Sequence, residues 1–73
     1  MADRKFYLVQ VEVERGSWRD VYSYLGDAYR YLDDKAEAVR ILRAAMKEFC
    51  CKHGRIKKNG TRIVYELEVW NGR

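Results

Sequence analysis

Hydrophobic and polar residues alternate strictly in two segments of the chain, one near each end. In KFYLVQVEVE, residues 5–14, apolar side chains occupy every second position from Tyr7 to Val13. In RIVYELEVW, residues 62–70, the same alternation runs from Ile63 to Val69. A period of two with β-branched residues is typical of a strand that is buried on one face. The pattern predicts strands at residues 6–14 and 61–70 in one sheet.

An Asn-Gly pair at residues 59 and 60 precedes the second of these strands and follows a short basic segment, residues 55–58. Asn-Gly supplies the two positive-φ residues of a type I′ hairpin turn, which predicts a third strand at 55–58. A two-residue turn would pair Ile56 with Ile63 on the core side. On the outer side, the same register brings together three basic residues: Arg55, Lys57 and Arg62.

Residues 34–52 show the pattern of an amphipathic helix. Asp34 can cap its start, acidic residues follow in the first turn, and a lysine and a histidine lie near its end. Gly54 comes soon after, where glycine commonly terminates a helix. The apolar side chains form one stripe: Ala38, Val39, Leu42, Ala45, Met46, Phe49 and Cys50. We expect this stripe to pack across one face of the sheet.

The segment between the first strand and the helix permits two interpretations. In the first, residues 15–16 form a tight turn and residues 17–24 return as a further strand. That register sets Val13 opposite Trp18, an aromatic and β-branched pair of the kind that stabilises a ladder. It also places Asp20 on the inner face, where a carboxylate would need a donor.

In the second interpretation, residues 18–32 form a second helix, and the two helices make a helical hairpin. The residues concerned follow the spacing W-x₂-L-G-x₂-Y…A-x₃-F…A: Tyr22, Leu25, Gly26, Tyr29, Ala38, Leu42 and Ala45. Residues 19–52 therefore resemble a single tetratricopeptide repeat, which implies two antiparallel helices. Because one repeat cannot bury its face without stacked neighbours, the hairpin would pack on the sheet and would not form a peptide-binding solenoid.

Both interpretations predict a single α+β domain over residues 1–73, since a chain of 73 residues has only a thin core. The sheet is antiparallel with three or four strands, and the main helix of residues 34–52 lies on one face. The predicted strands span residues 6–14, 17–24, 55–58 and 61–70. In the alternative, residues 18–32 are helical.

Composition narrows the cellular setting. The chain has 15 basic and 11 acidic residues, and its net charge of +4 allows an anionic partner without requiring one. No stretch approaches the roughly 20 apolar residues of a membrane span, and the first residues lack the apolar core of a leader peptide. Cys50 and Cys51 are adjacent and cannot link distant segments. We expect a cytoplasmic protein with reduced thiols and no membrane contact.

The chain offers little material for catalysis. His53 is its single histidine, and Cys50 lies three residues before it at the end of the predicted helix. Structural zinc takes four ligands, usually as two separated pairs, and the chain has no second pair. Its five glycines are scattered, so a glycine-rich phosphate loop is absent. We therefore expect no enzymatic activity, no metal and no cofactor.

Two groups of residues are candidates for binding. The first is basic and would contact nucleic acid or an acidic partner: Arg40, Arg43, Lys47, Arg55, Lys57, Lys58 and Arg62. The second combines aromatic residues with an arginine, as protein interfaces often do: Tyr29, Arg30, Tyr31 and Trp70. The alternative for both groups is a structural role, as a solvated charged face and as core filling.

The function expected from these features is a small, non-enzymatic interaction protein that occupies a surface of a larger protein or nucleic-acid-handling complex. Phages and mobile elements encode proteins of this size, and anti-CRISPR inhibitors are a class analogy based on size and charge alone. The alternative is sequence-independent nucleic-acid binding through the basic residues. A homodimer is compatible with either, because small domains often bury at an interface what they cannot bury alone.

Overall fold

The computed structural model describes residues 6–69 of the chain. It contains four strands, two α-helices and one turn of 3₁₀ helix at Asp27–Tyr29. The strands are β1 (Tyr7–Glu14), β2 (Ser17–Asp20), β3 (His53–Lys58) and β4 (Arg62–Glu68). The helices are α1 (Tyr22–Leu25) and α2 (Lys35–Glu48).

The predicted fold class is confirmed: the four strands form one antiparallel sheet, and α2 packs on one face of it. The strand order is β2-β1-β3-β4, so β1 and β3 are central and β4 is at an edge. We call the face opposite α2 the open face. Among residues 6–69, no helix has the length and apolar character needed to cross a membrane.

The core lies between α2 and the two central strands. Its fully buried side chains come from β1, α2, β3 and the residue after β2: Val9, Val11, Val21, Ala38, Leu42, Ala45, Met46 and Ile56. Four of the seven residues in the predicted helical stripe are among them. Within β3, a Cβ at Gly54 would meet the side chain of Leu42 and would lie 2.8 Å from Sδ of Met46. Glycine at this position therefore lets α2 approach the sheet closely.

The register of β1 with β2 differs by one residue from the predicted one. An irregularity between Glu12 and Glu14 leaves Val13 as the extra residue of a bulge, and Trp18 pairs with Glu12 instead of Val13. A shift of one residue moves every following side chain to the other face. The prediction that Trp18 points into the core is therefore wrong: it lies on the open face. Asp20 pairs with Gln10 on that same face, which removes the predicted buried carboxylate.

The hairpin of β3 and β4 also carries an irregularity. Asn59 and Gly60 have φ of 56° and 74°, as a type I′ turn requires. The ladder nevertheless pairs Ile56 with Tyr65 and Lys57 with Ile63. The predicted pairing of Ile56 with Ile63 is wrong, and Ile63 is exposed on the open face. Arg62 pairs with Lys58 on the side of α2, and so it does not join Arg55 and Lys57.

The main helix ends earlier than predicted, at Glu48 instead of residue 52. Cys50 takes the left-handed conformation with φ of 55°, and the main-chain N–H of Cys51 donates to the carbonyl of Met46 at 2.9 Å. This arrangement is a Schellman motif with cysteine at the position that usually holds glycine. Cys50 is exposed and not part of the buried stripe. Gly54, which was expected to terminate the helix, lies inside β3.

The segment after β2 matches neither interpretation completely. β2 ends at Asp20 instead of residue 24, and α1 with the 3₁₀ turn provides only short helical pieces in place of a helix over 18–32. The helix pair implied by the tetratricopeptide resemblance is not formed. The segment is anchored to β1 at both ends: the N–H of Val21 donates to the carbonyl of Val9 at 2.9 Å, and the N–H of Tyr7 donates to the carbonyl of Leu32 at 2.6 Å.

Candidate binding surface

A groove runs between α2 and the edge strand β4, because α2 lies over the central strands and leaves the outer strand partly uncovered. Its volume is about 490 Å³. The side chains along it come from the second half of α2, the following turn and the end of β4: Arg43, Met46, Lys47, Cys50, Cys51, Leu67 and Val69. We call it the α2–β4 groove. Its floor is apolar, and Val69 at its end is 48% exposed.

Two cations form the helical rim of the α2–β4 groove. Arg43 and Lys47 are four residues apart, so they lie one above the other on the same ridge of α2. Both side chains are exposed. Arg40 lies one turn earlier and is engaged with Glu37, its Nη2 being 3.3 Å from Oε1 of that glutamate. Two of the three basic residues predicted on the helix thus line the groove.

The other wall of the groove is a sheet edge. Among the strands that the structure describes, β4 pairs with β3 only. The N–H of Val69 donates to the carbonyl of Lys52 at 2.8 Å. Hydrogen-bonded and non-hydrogen-bonded pairs alternate along an antiparallel ladder. The main-chain groups of Leu67 therefore face β3, and those of Glu66 and Glu68 face the free edge.

The edge separates two kinds of side chain. Leu67 points to the α2 side and packs against the core, whereas Glu66 and Glu68 are exposed on the open face. Cations on α2 and carboxylates on the open face therefore flank the same row of free main-chain groups. Sequence analysis did not select Glu66, Glu68, Leu67 or Val69 as binding residues. The available signal was a pair of glutamates at the outward positions of the last strand.

The remaining basic residues of the predicted set lie on different faces of the sheet. Arg55 and Lys57 are on the open face, since they pair with Gln10 and Leu8. Lys58 lies on the side of α2, where it pairs with Tyr7 and Arg62. The structure therefore does not bring all seven predicted cations to one surface.

Arg55 belongs to an interlocked cluster on the open face. Its guanidinium carbon lies 3.9 Å from the ring centroid of Trp18, and its Nε donates to Oε1 of Gln10 at 2.8 Å. The ring of His53 stacks edge-on against Trp18, with 4.9 Å between centroids. Cation–π and aromatic contacts of this kind stabilise the sheet face. We call these residues, with Glu12, the open-face cluster, and it ties the short strand β2 to β1 and β3.

Glu12 is the acidic member of the open-face cluster. The N–H of Gly16 donates to its Oε2 at 2.8 Å, and Nδ1 of His53 lies 3.3 Å from its Oε1. The hydrogen bond from Gly16, assisted by His53 and Arg15, holds the pKa of Glu12 below its ordinary value of 4.5, against an opposing effect of desolvation. Burial, with the neighbouring Cys50 thiol, raises the pKa of Cys51 instead.

The predicted aromatic site is partly covered by its own contacts. The guanidinium of Arg30 lies 5.1 Å from the ring centroid of Tyr22 and 5.2 Å from that of Tyr31. Phe6 packs edge-on against Tyr31, with centroids 5.1 Å apart. Tyr29 is half-buried, whereas Tyr31 remains 53% exposed. Trp70, the fourth member of this predicted site, lies outside the described residues.

Over residues 6–69, histidine, cysteine and carboxylate side chains do not gather in threes or more in a way that could hold a metal ion. The α2–β4 groove has features that suit it to binding another molecule. It combines an apolar floor, the exposed cations Arg43 and Lys47, and a strand edge. Comparison with protein-family models, curated proteins and solved structures gave no match for this chain.

Proposed function

We propose that this chain is a non-enzymatic interaction protein and that it binds a surface of a larger protein through the α2–β4 groove. One observation carries the proposal: within residues 6–69, β4 is an edge strand, and it borders an apolar groove whose rim holds Arg43 and Lys47. Edge strands expose main-chain hydrogen-bonding groups that another chain can satisfy. Apolar surface rimmed by polar residues is typical of protein interaction sites.

The charges around the groove favour a protein over a nucleic acid as the partner. Glu66 and Glu68 are exposed on the open-face side of the same edge. A phosphate backbone that lay along this edge would meet two carboxylates as well as the cations of α2. A protein segment can place opposite charges against each. Inhibitors of nucleic-acid-handling complexes, such as the anti-CRISPR proteins encoded by phages, are a class analogy for such a protein, based on size and charge alone.

Sequence-independent nucleic-acid binding is the second candidate function. It is favoured by the ridge of Arg40, Arg43 and Lys47 on the exposed side of α2. Such a ridge can follow a phosphate backbone without base contacts.

Affinity capture tests the proposed function. The immobilised chain is incubated with a lysate of its source cells, beside an Arg43→Glu/Lys47→Glu variant. An Arg19→Glu/Lys35→Glu variant is the matched control, because it makes the same change of charge at exposed positions outside the groove. Nuclease treatment of the lysate removes bridging by DNA or RNA. Circular dichroism verifies that both variants are folded.

We expect the wild-type chain and the control variant to retain the same defined protein. The Arg43→Glu/Lys47→Glu variant should retain at least tenfold less of it. Equal loss from both variants would show that overall charge, and not the groove, drives capture. A captured species that disappears after nuclease treatment would favour the second candidate instead.

A further inference from the structure

We infer that β4 accepts an extended strand of the partner protein as a fifth strand of the sheet. The segment we infer has lysine or arginine at alternate positions on one side and apolar residues on the other. This inference rests on the proposed function and specifies the partner of the same groove. Addition of a strand to a sheet edge is a general mode of peptide recognition, in which main-chain bonds give affinity and side chains give specificity.

The main chain of β4 provides the first part of the argument. Because Val69 donates to Lys52, the N–H and C=O groups of Glu66 and Glu68 point to the free edge. Two residues with outward groups offer two donors and two acceptors to an added strand. The spacing of two residues between them is the spacing at which an antiparallel partner forms its closely paired bonds.

The open face determines one side of the partner segment. Residues that pair directly with Glu66 and Glu68 would have their side chains on the same face as these glutamates. Opposite charges at such positions stabilise the pairing of two strands, and like charges destabilise it. The partner therefore carries lysine or arginine at two positions, i and i+2.

The α2–β4 groove determines the other side. The partner residue between these two cations would point toward α2, over the apolar floor made by Met46, Leu67 and Val69. An apolar side chain at i+1 removes this surface from water. Arg43 and Lys47 stand at the rim above it and disfavour a third cation at this position.

A second copy of this chain fits the edge poorly. In a symmetric antiparallel pair of β4 strands, a register centred on residue 66 sets Glu66 opposite its own copy. A register centred on residue 67 sets Glu66 opposite Glu68, twice. Like charges placed directly opposite each other destabilise a ladder, and charged side chains are a common protection of exposed edges. Glu66 and Glu68 thus disfavour pairing of β4 with a second copy of itself and favour pairing with a basic strand.

Defined peptides and amide exchange test the inference on the full chain. The probe is a nine-residue peptide with three lysines at alternate positions, valines between them, and Gly-Ser caps. One control peptide has the same composition with the lysines grouped, and another has glutamate in place of lysine. Amide hydrogen exchange of the ¹⁵N-labelled chain is followed by NMR with each peptide.

In the free chain, the Glu66 and Glu68 amides should exchange at least tenfold faster than those of Tyr65 and Leu67. A saturating amount of the alternating lysine peptide should slow exchange at Glu66 and Glu68 at least tenfold. The control peptides should leave it unchanged. Equal protection by a control peptide, or a peptide-bound chain in which Glu66 and Glu68 stay unprotected, would overturn the inference.

Charge reversal provides a second test. The variant Glu66→Lys/Glu68→Lys should reverse the peptide preference, so that the glutamate peptide binds at least tenfold more tightly than the lysine peptide. Exchange at Ile56 reports that the variant is folded. A different result would favour a second copy of this chain as the occupant. The wild-type chain would then sediment as a dimer, and its Glu66 and Glu68 amides would be protected without peptide; this result would overturn the inference. Failure of the wild-type chain to retain any protein from the lysate would instead refute the proposed function itself.

Discussion

At the scale of single residues, Cys50 departs from the residue type that its backbone conformation favours. Cys50 has a φ of 55° at the end of α2. A side chain in this conformation places Cβ close to the following carbonyl, at a cost of about 1–2 kcal/mol that glycine avoids. The chain therefore carries a non-glycine residue where the Schellman motif favours glycine.

We expect Cys50→Gly to raise the free energy of unfolding by about 0.5–1 kcal/mol, since the gain in the folded state exceeds the added chain entropy of glycine. Urea denaturation monitored by circular dichroism measures it. Cys50→Ser is the control, because it removes the thiol and keeps a Cβ; it should leave stability nearly unchanged. Equal stabilisation by serine would attribute the effect to loss of the thiol.

Gly54 is required because a side chain has no room at this position, and not because of its φ angle. A Cβ here would meet Leu42 and lie 2.8 Å from Sδ of Met46. We expect Gly54→Ala to lower the free energy of unfolding by about 1–3 kcal/mol, the usual cost of overpacking. In the double variant Gly54→Ala/Leu42→Ala, the loss should be smaller than the sum of the two single losses, because the residues compete for one volume. Thermal unfolding measures all three variants, and strict additivity would contradict this account.

At the scale of elements, the hydrophobic pattern predicted the sheet and the helix but not the faces of every side chain. Alternation located β1 and β4, and the Asn-Gly turn located the hairpin. The irregularities at Val13 and between Ile56 and Lys57 were not predictable. A bulge adds one residue to one strand and leaves its local alternation almost intact, while every residue beyond it changes face.

The candidate site was predictable only in its helical part. Helical periodicity alone placed Arg43 and Lys47 on one exposed ridge. The outer wall depends on β4 being an edge strand, and strand order is a property of the tertiary fold that alternation within one strand does not encode. Trp18 shows the converse case. The register of the first interpretation placed it opposite Val13, and the bulge moved it to the open face, where Arg55 covers it.

The open-face cluster makes the attachment of β2 dependent on pH. The pKa of Glu12 lies below 4.5 in the folded chain, chiefly because Gly16 donates a hydrogen bond to its carboxylate. A lowered folded-state pKa means that ionised Glu12 stabilises the fold above pH 4.5 and that this contribution is lost as the pH falls through the lowered value.

We therefore expect Glu12→Gln to flatten the dependence of stability on pH below 4.5. Denaturation at a series of pH values measures the slope. Glu48→Gln is the control, because it removes a carboxylate at an exposed position and leaves the contacts of Glu12 with Gly16 and His53 in place. Equal slopes for wild type and Glu12→Gln would show that the bond from Gly16 does not distinguish the folded from the unfolded state.

At the scale of the whole molecule, the distribution of charge limits what the chain can do with a polyanion. The sheet separates the predicted cations into two groups. Arg55 and Lys57 lie on the open face, whereas the other five lie on the side of α2: Arg40, Arg43, Lys47, Lys58 and Arg62. A stiff duplex contacts one face at a time. Arg55 is also stacked on Trp18, and Arg40 is paired with Glu37. We therefore expect DNA binding, where it occurs, to use the five cations on the side of α2 at most.

This expectation has a measurable form. A plot of log K against log salt concentration for a short DNA duplex should have a slope no steeper than about −4.5, because each neutralised phosphate contributes about −0.9. Engagement of all seven predicted cations would give about −6. Arg43→Glu/Lys47→Glu should make the slope shallower by about 2, whereas Arg55→Glu/Lys57→Glu should leave it unchanged. A slope near −6 that both pairs reduce would mean that nucleic acid wraps the molecule, and polyanion binding would then replace the strand edge as its principal interaction.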